Sequence, residues 1–220
     1  MGSTAVVLGI DFGRAERPSI RLDEGPVWLR PGEPRDASAW IDLRERSRKH
    51  LTKWEPDWRA EDVAVDAVKS RLRAQSRLGR NAPFLSFFVF RKADDALVGG
   101  LTVSAIRYHA SLSAQLGYWI GAEHVRRGYA RASVAAVVRH AFTCMGLNRL
   151  EAACQPANVA SRRVLSGAGF RQEGYARDYL FINGAWRDHC LYAITASDAS
   201  RWQRAWQDRG PTVANDEATV

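Results

Sequence analysis

A strand, a glycine turn and an amphipathic helix follow one another near the middle of the chain, and this order restricts the possible folds most. Residues 115–120 have strand character, Gly128 lies in the turn, and apolar side chains recur at helical spacing over residues 131–145. The first N–H groups of such a helix have no partner within it, and the helix dipole adds partial positive charge there. The sequence therefore predicts a helix packed on a sheet, with a place for a phosphate at its start.

The residues of the turn fit this role, although the turn alone does not identify a ligand. Gly128 allows a ligand to approach the backbone closely, and Ala130 is also small. Neighbouring arginines add donors for an anion. The three-glycine fingerprint of dinucleotide-binding folds is missing, as is the Gly-Lys-Ser/Thr ending of a kinase-like phosphate loop. The residues predicted to bind phosphate are Arg126, Arg127, Gly128, Tyr129, Ala130 and Arg131.

The rest of the chain predicts a domain that contains both helices and strands. Period-two apolar runs predict strands, and apolar residues spaced by three and four predict helices. The pair Asn183-Gly184, between the last two strands, is a strong hairpin signal. The seven predicted strands are residues 27–30, 84–91, 96–106, 115–120, 150–154, 170–182 and 186–194, and the four predicted helices are residues 33–50, 61–78, 131–145 and 157–166.

Length and composition predict one domain that does not enter a membrane. The chain has 220 residues, 46% of them hydrophobic, and no apolar run approaches the roughly 18 residues that span a bilayer. The apolar run at residues 5–10 is too short for a signal peptide. Three widely spaced cysteines match neither a disulfide framework nor a metal site, so we expect a cytoplasmic protein without a metal. The net charge of +8 is compatible with coenzyme phosphates, an acidic substrate or RNA.

A second block of residues, downstream of the turn, resembles the GNAT superfamily of N-acetyltransferases. Residues 156–161 (Pro-Ala-Asn-Val-Ala-Ser) and 167–170 (Gly-Ala-Gly-Phe) are similar to the second half of the coenzyme site in that family. Residues 173–179 and 183–189 resemble its RimJ/RimL branch, and the RimJ members in particular. Val125 departs from the pattern, because the family often has Gln or Arg there. The turn binds through backbone N–H groups, so this difference matters little.

The resemblance also implies how the chain is organised. It implies a GNAT domain over residues 26–196, preceded by an extension at residues 1–25 and followed by a tail, residues 197–220, that can form a short helix. The implied fold is α+β and sandwich-like. Its mostly antiparallel, mixed sheet of seven strands is splayed between the fourth and fifth strands and flanked by about four helices.

GNAT enzymes transfer an acetyl group from acetyl-CoA directly to an amine in a ternary complex, and the resemblance implies roles for residues of this chain. A backbone N–H near Trp119 or Ile120 would meet the thioester carbonyl. Asn158 and Ser161 would complete the coenzyme site. Ser161 would also protonate the leaving thiolate, and Tyr192 is a second candidate for that role.

The general base is harder to identify. RimL-type enzymes use a glutamate at a position that is Leu180 in this chain. Asp178 lies two residues earlier, on the same strand face if no bulge intervenes. Glu151 occupies another place where related enzymes carry an acid, whereas Gln115, at a third such place, cannot act as a base.

The acceptor implied by the resemblance is the N-terminal amine of a protein, in particular the N-terminal alanine of a ribosomal protein. An α-amine, with a pKa of roughly 7.7 to 8.0, is partly neutral near pH 7, whereas a lysine at about 10.4 is almost entirely charged. A missing strong base is therefore tolerable for an α-amine. Two alternatives stay open: a GNAT enzyme acting on a small amine, and a basic module associated with the ribosome or RNA. The sequence is compatible with a monomer or a dimer.

Overall fold

The computed structural model describes residues 20–78 and 82–201, and the strands of these residues form one open sheet. The strands are β1 (Leu22–Glu24), β2 (Val27–Pro31), β3 (Leu85–Arg91), β4 (Leu97–Arg107), β5 (Ser113–Ile120), β6 (Arg149–Cys154), β7 (Arg171–Ile182) and β8 (Ala185–Thr195). They run in the order β1-β2-β3-β4-β5-β6-β8-β7. All neighbours are antiparallel except β5 and β6, which confirms the predicted mixed, mostly antiparallel α+β fold.

Helices cover both faces of the sheet. The α-helices are α1 (Ala37–Arg46), α2 (Arg48–Leu51), α3 (Val65–Ser76), α4 (Tyr129–Thr143) and α5 (Val159–Gly167), and short 3-10 turns lie at Pro34–Asp36, Ala60–Asp62 and Ala122–His124. α1 and α3 pack on one face, here the front face, with Phe88 and Phe90. α4 and α5 pack on the opposite, back face, with Phe87 and Val89. Successive residues of β3 thus point to alternate faces, as the strand period requires.

The sheet opens between β5 and β6. These strands pair for three residues only, ending with Gln115 opposite Glu151. β5 then continues to Ile120, and β6 continues to Cys154, without further pairing between them. The predicted splay between the fourth and fifth strands is therefore present. Within the part of the chain that the structure describes, it leaves backbone groups on one side of β5 without a strand partner, so a ligand can bind to them.

Two local predictions differ from the structure. The sheet has eight strands rather than seven, because residues 22–24, within the predicted extension, pair with β2. The predicted helix over residues 33–50 is divided at Ser47, which has φ −96° and ψ 2°. Its hydroxyl accepts a hydrogen bond of 2.9 Å from the backbone N–H of Ala122, so a contact with the end of β5 replaces helix continuity.

The tail prediction is only partly covered by the structure. Residues 196–201 are helical, and the rest of the predicted tail lies outside the described residues. Of the helices in the described ranges, none is both long and apolar enough to cross a membrane.

Candidate active site

The turn before α4 has the geometry of a phosphate cradle. Gly128 is the N-cap of α4 with φ +76°, and Arg126 before it has φ +61°. A Cβ atom built at Gly128 would meet, apart from its chain neighbours, no atom of the described residues within 4 Å, so the space in front of the helix is open. The first N–H groups of α4 lack acceptors within the helix, and its first turn carries no acidic residue. These residues fit a pyrophosphate.

The predicted phosphate-binding residues meet this turn in different ways. Arg126 and Arg127 are exposed, so their side chains can reach an anion. Tyr129 is 7% exposed and belongs to the back-face core, which leaves its backbone N–H rather than its ring for a ligand. Ala130 and Arg131 are half-buried, and the Arg131 guanidinium lies beside Gly167 at the end of α5.

A pair of hydroxyl groups spans the opening between β5 and β6. Asn158 is the N-cap of α5, and its Oδ1 accepts a hydrogen bond of 3.0 Å from the backbone N–H of Ser161. The Ser161 Oγ lies 2.8 Å from the hydroxyl oxygen of Tyr118, which reaches back from β5. Tyr118 is absent from the residues predicted from sequence. The alternation of β5 could have indicated it, because the neighbour of Trp119 must point to the opposite face.

Burial keeps the hydroxyl group of Tyr118 and the neighbouring thiol protonated. Burial raises the pKa of Tyr118, and the hydrogen bond with Ser161 opposes that shift only in part. Burial also raises the pKa of the Cys154 thiol, next to Ser161. Both groups therefore keep their protons near neutral pH. The Tyr118 hydroxyl also lies 3.2 Å from the Ser161 carbonyl oxygen, a second acceptor for its proton. When Tyr118 donates to Ser161 Oγ, the serine proton is free for a ligand atom in the opening.

Tyr192, the second predicted donor, lies nearby but is held in another network. Its hydroxyl accepts a hydrogen bond of 3.3 Å from Arg162 Nε and lies 3.2 Å from Gln172 Oε1, to which it donates. The side chain is 4% exposed on the back face. These contacts connect α5 to β7 and β8 and hold the hydroxyl in place.

The two predicted bases lie in ion or hydrogen-bond networks of their own. Glu151 Oε1 is 2.8 Å from Arg149 Nε, and Arg149 also pairs with Glu173. Asp178 has φ +48° within a bulge of β7, and its backbone N–H donates to Asp188 Oδ1 at 2.9 Å. The prediction that Asp178 shares a strand face with Leu180 assumed a strand without a bulge, and β7 is bulged at this point.

A cavity of about 420 Å³ lies against the front face of β5, and we call it the front cavity. Trp119 borders it, one residue along the strand from Tyr118. The cavity is also lined by Trp40, Arg44, Glu55, Pro56, Asp57, Asp62, Arg71, Gln75, Ser86, Phe87, Phe88, Gly100, Leu101 and Thr102. Its carboxylates come from the segment between α2 and α3, which carries no sequence motif. Sequence reasoning therefore missed them.

No group of three or more His, Cys, Asp or Glu side chains is placed to hold a metal ion within residues 20–78 and 82–201. The candidate site consists of the α4 turn, the opening between β5 and β6, and the front cavity.

Comparison with known sequences agrees with this architecture. The sequence profile of the acetyltransferase (GNAT) domain matches residues 27–171. This chain belongs to the GNAT family. The match includes the turn at Gly128 and the start of α5 at Asn158, so both parts of the predicted coenzyme site lie within the family domain.

Relatives of this chain align with it over nearly their whole length. The probable N-acetyltransferase YjcK of Bacillus subtilis is 34% identical over 174 residues, which are 78% of this chain and 95% of YjcK. The ribosomal protein uS5-alanine N-acetyltransferase of Escherichia coli is 29% identical over 188 residues, covering 85% of this chain and 97% of that enzyme.

A solved structure gives the same result. RimJ of Mycobacterium smegmatis, in complex with CoA-disulfide, aligns with a TM-score of 0.75 and 37% identity, over 85% of this chain and 93% of that one. The GNAT chain described here is therefore an acetyl-CoA-dependent N-acetyltransferase of the RimJ branch.

Proposed function

We propose that this enzyme acetylates the N-terminal α-amine of a protein, with a ribosomal protein as the acceptor, by direct attack in a ternary complex. The observation that carries the proposal is the front cavity, because it borders the strand that lines the opening and has room for several residues of an extended peptide. The relative from E. coli is named for acetylation of an alanine in a ribosomal protein, and this supports the acceptor class.

The charges of the front cavity favour a cationic chain end. Three carboxylates and two arginines line it. Glu55 pairs with Arg44, and Asp62 Oδ1 lies 3.8 Å from Arg71 Nη1. The exposed side chain of Asp57 therefore contributes the net negative charge. A positively charged N-terminus gains Coulomb energy from such a lining before it loses its proton.

Leu180 stands where RimL-type enzymes carry a glutamate base, and this also favours an α-amine as the acceptor. With a pKa of roughly 7.7 to 8.0, about a tenth of α-amines or more is neutral near pH 7, against far below one per cent for a lysine side chain. Glu151 or Asp178, with intervening water, would then need only to receive the proton released after attack. Neither residue would have to extract it from a strongly basic amine.

Other residues would act on the donor side. Bound acetyl-CoA supplies the activated acetyl group. An unpaired backbone N–H near Trp119 or Ile120, beyond the last β5–β6 pair, would polarise the thioester carbonyl. Ser161, supplied in turn by Tyr118, would give a proton to the departing sulfur. Asn158 would keep Ser161 in position through its cap.

The test uses peptides that begin with Ala, Ser or Met, and a matched peptide whose N-terminus is blocked and which carries one internal lysine. Thiol release and the mass of the product peptide are measured with acetyl-CoA. We expect acetylation of the free N-termini only. Modification of the blocked peptide, or turnover confined to a small amine such as a polyamine, would contradict the proposal.

A further inference from the structure

A buried arginine of α1 lies beside the front cavity and has no role in the proposed chemistry. Arg44 is 8% exposed. Its guanidinium carbon lies 4.9 Å from the ring centroid of Trp40, 4.1 Å from that of Trp58 and 5.1 Å from that of Trp119. Aromatic faces attract a cation most strongly when water is excluded, so the three rings stabilise the charge of the buried guanidinium.

Arg44 has one ionic partner and one unused donor. Its Nη2 lies 2.5 Å from Glu55 Oε2, and the same carboxylate oxygen accepts a hydrogen bond of 3.0 Å from Trp58 Nε1. The Nε atom of Arg44 is buried and has no hydrogen-bond partner among residues 20–78 and 82–201. A buried donor without a partner is costly, and a leucine or methionine would avoid that cost. The fold therefore retains this cation against a local penalty.

These contacts join three separate pieces of chain. Arg44 and Trp40 belong to α1, Glu55 and Trp58 to the segment between α2 and α3, and Trp119 to the end of β5. Trp40 and Trp119 also meet edge to face, with ring centroids 6.3 Å apart. The guanidinium is the common contact of all three pieces, which together form one wall of the front cavity.

We propose that Arg44 is a positioning residue for the acceptor: it fixes the Glu55–Trp58 segment against Trp119 and so sets the shape of the front cavity. This inference rests on the proposed function, in which the front cavity receives the acceptor. Without the cation, Glu55 loses its ionic partner and the segment loses the guanidinium contact that joins it to Trp119. The contacts of Arg44 are with the side chains of Trp40, Glu55, Trp58 and Trp119, whereas the coenzyme would use the α4 turn, the backbone of β5 and the Tyr118–Ser161 pair. We therefore expect binding of acetyl-CoA to depend little on Arg44.

Arg48 provides a matched control. Its guanidinium carbon lies 4.6 Å from the ring centroid of the same Trp58, but its side chain is 44% exposed and pairs with Glu45. Arg48 is not among the residues that line the front cavity. Arg48→Met therefore removes one arginine from Trp58 and leaves the wall intact.

The experiment compares Arg44→Met, Arg44→Lys and Arg48→Met in the full chain, with the best acceptor peptide and acetyl-CoA each varied in turn. For Arg44→Met we expect the KM of the acceptor to rise about 10- to 100-fold, as for a misplaced substrate, while the KM of acetyl-CoA changes less than about twofold. Arg44→Lys keeps the charge without the planar stack and should recover part of the loss. Arg48→Met should match the wild type.

Three results would overturn the inference: an unchanged acceptor KM in Arg44→Met, an equal rise of both KM values, or the same effect from Arg48→Met. If Arg44→Met does not fold, Glu55→Gln and Arg44→Lys carry the same test. If the wild type acetylates no peptide but accepts a small amine, the proposed function fails. Measured with that amine, an acceptor-specific rise in Arg44→Met would still support a positioning role.

Discussion

Replacing Gly128 by alanine separates the binding role of the α4 turn from its contribution to folding. Gly128 has φ +76°, and a left-handed backbone costs a residue with a side chain roughly 1–2 kcal/mol. For a domain of this size, each kcal/mol lowers Tm by about 2–4 °C, so Gly128→Ala should lower Tm by about 2–8 °C. This part of the effect has no connection with a ligand.

The effect on coenzyme binding should be larger than the strain explains. The new Cβ would project into space that holds no protein atom within 4 Å, which is where a pyrophosphate would approach the N–H groups of α4. Losing one hydrogen bond to a charged group costs about 1.5–3 kcal/mol, or roughly 10- to 100-fold in affinity. We expect the Kd of CoA, measured by isothermal titration calorimetry, to rise by that factor.

Gly146 offers a control at the opposite end of the same helix. It has φ +65°, and a Cβ there also meets no protein atom within 4 Å. Gly146→Ala should therefore lower Tm by a similar amount and leave the Kd of CoA unchanged. Equal changes of Kd in the two variants, or none in Gly128→Ala, would refute the assignment of the turn to the pyrophosphate.

Three further predictions concern α5, the hydroxyl pair and pH. Asn158→Ala removes the cap of α5 and should cost about 1 kcal/mol in chemical denaturation, with a lower kcat because Ser161 loses its anchor. Tyr118→Phe and Ser161→Ala should each lower kcat by about 100-fold. The double variant should lose little more activity than either single variant, because both hydroxyls serve one proton transfer. If the two losses instead add up in stopped-flow assays, the hydroxyls act independently. Burial holds the pKa of His140 below its usual 6.5, so below pH 6.5 the unfolded chain takes up a proton that the folded chain does not. Tm should therefore fall as the pH drops below 6.5. The dependence of Tm on pH should be weaker in His140→Leu.

Features that depend on neighbouring residues along the chain could be predicted from sequence. The α4 turn is one case, because a glycine with positive φ and the helical apolar spacing after it are both local signals. The cap at Asn158 is another, since its Oδ1 reaches a backbone N–H only three residues away. In the structure Gly128 and Asn158 each directly precede a helix.

Features that depend on distant contacts could not be predicted. The helix break at Ser47 follows from its hydrogen bond to Ala122, 75 residues away. The Tyr118–Ser161 pair joins residues 43 positions apart. The bulge at Asp178 changes which residues share a face of β7, and a single aspartate within a strand pattern is too weak a signal to predict it. In each case tertiary packing, rather than local preference, decides the geometry.

The alternation of β5 explains how one short strand can serve both halves of the proposed reaction. Tyr118 points to the back face and contacts Ser161, whereas Trp119 borders the front cavity. A ligand in the opening beside β5 would thus meet the proton donors on one side and the acceptor on the other. A shift of one residue in the pairing of β5 with β4 would exchange the two side chains and separate Ser161 from its partner. The β4–β5 ladder runs without a shift from the pair of Gly99 and Ile120 to the pair of Ser104 and Gln115. This long ladder fixes the register of β5, so it stabilises the site as well as the sheet.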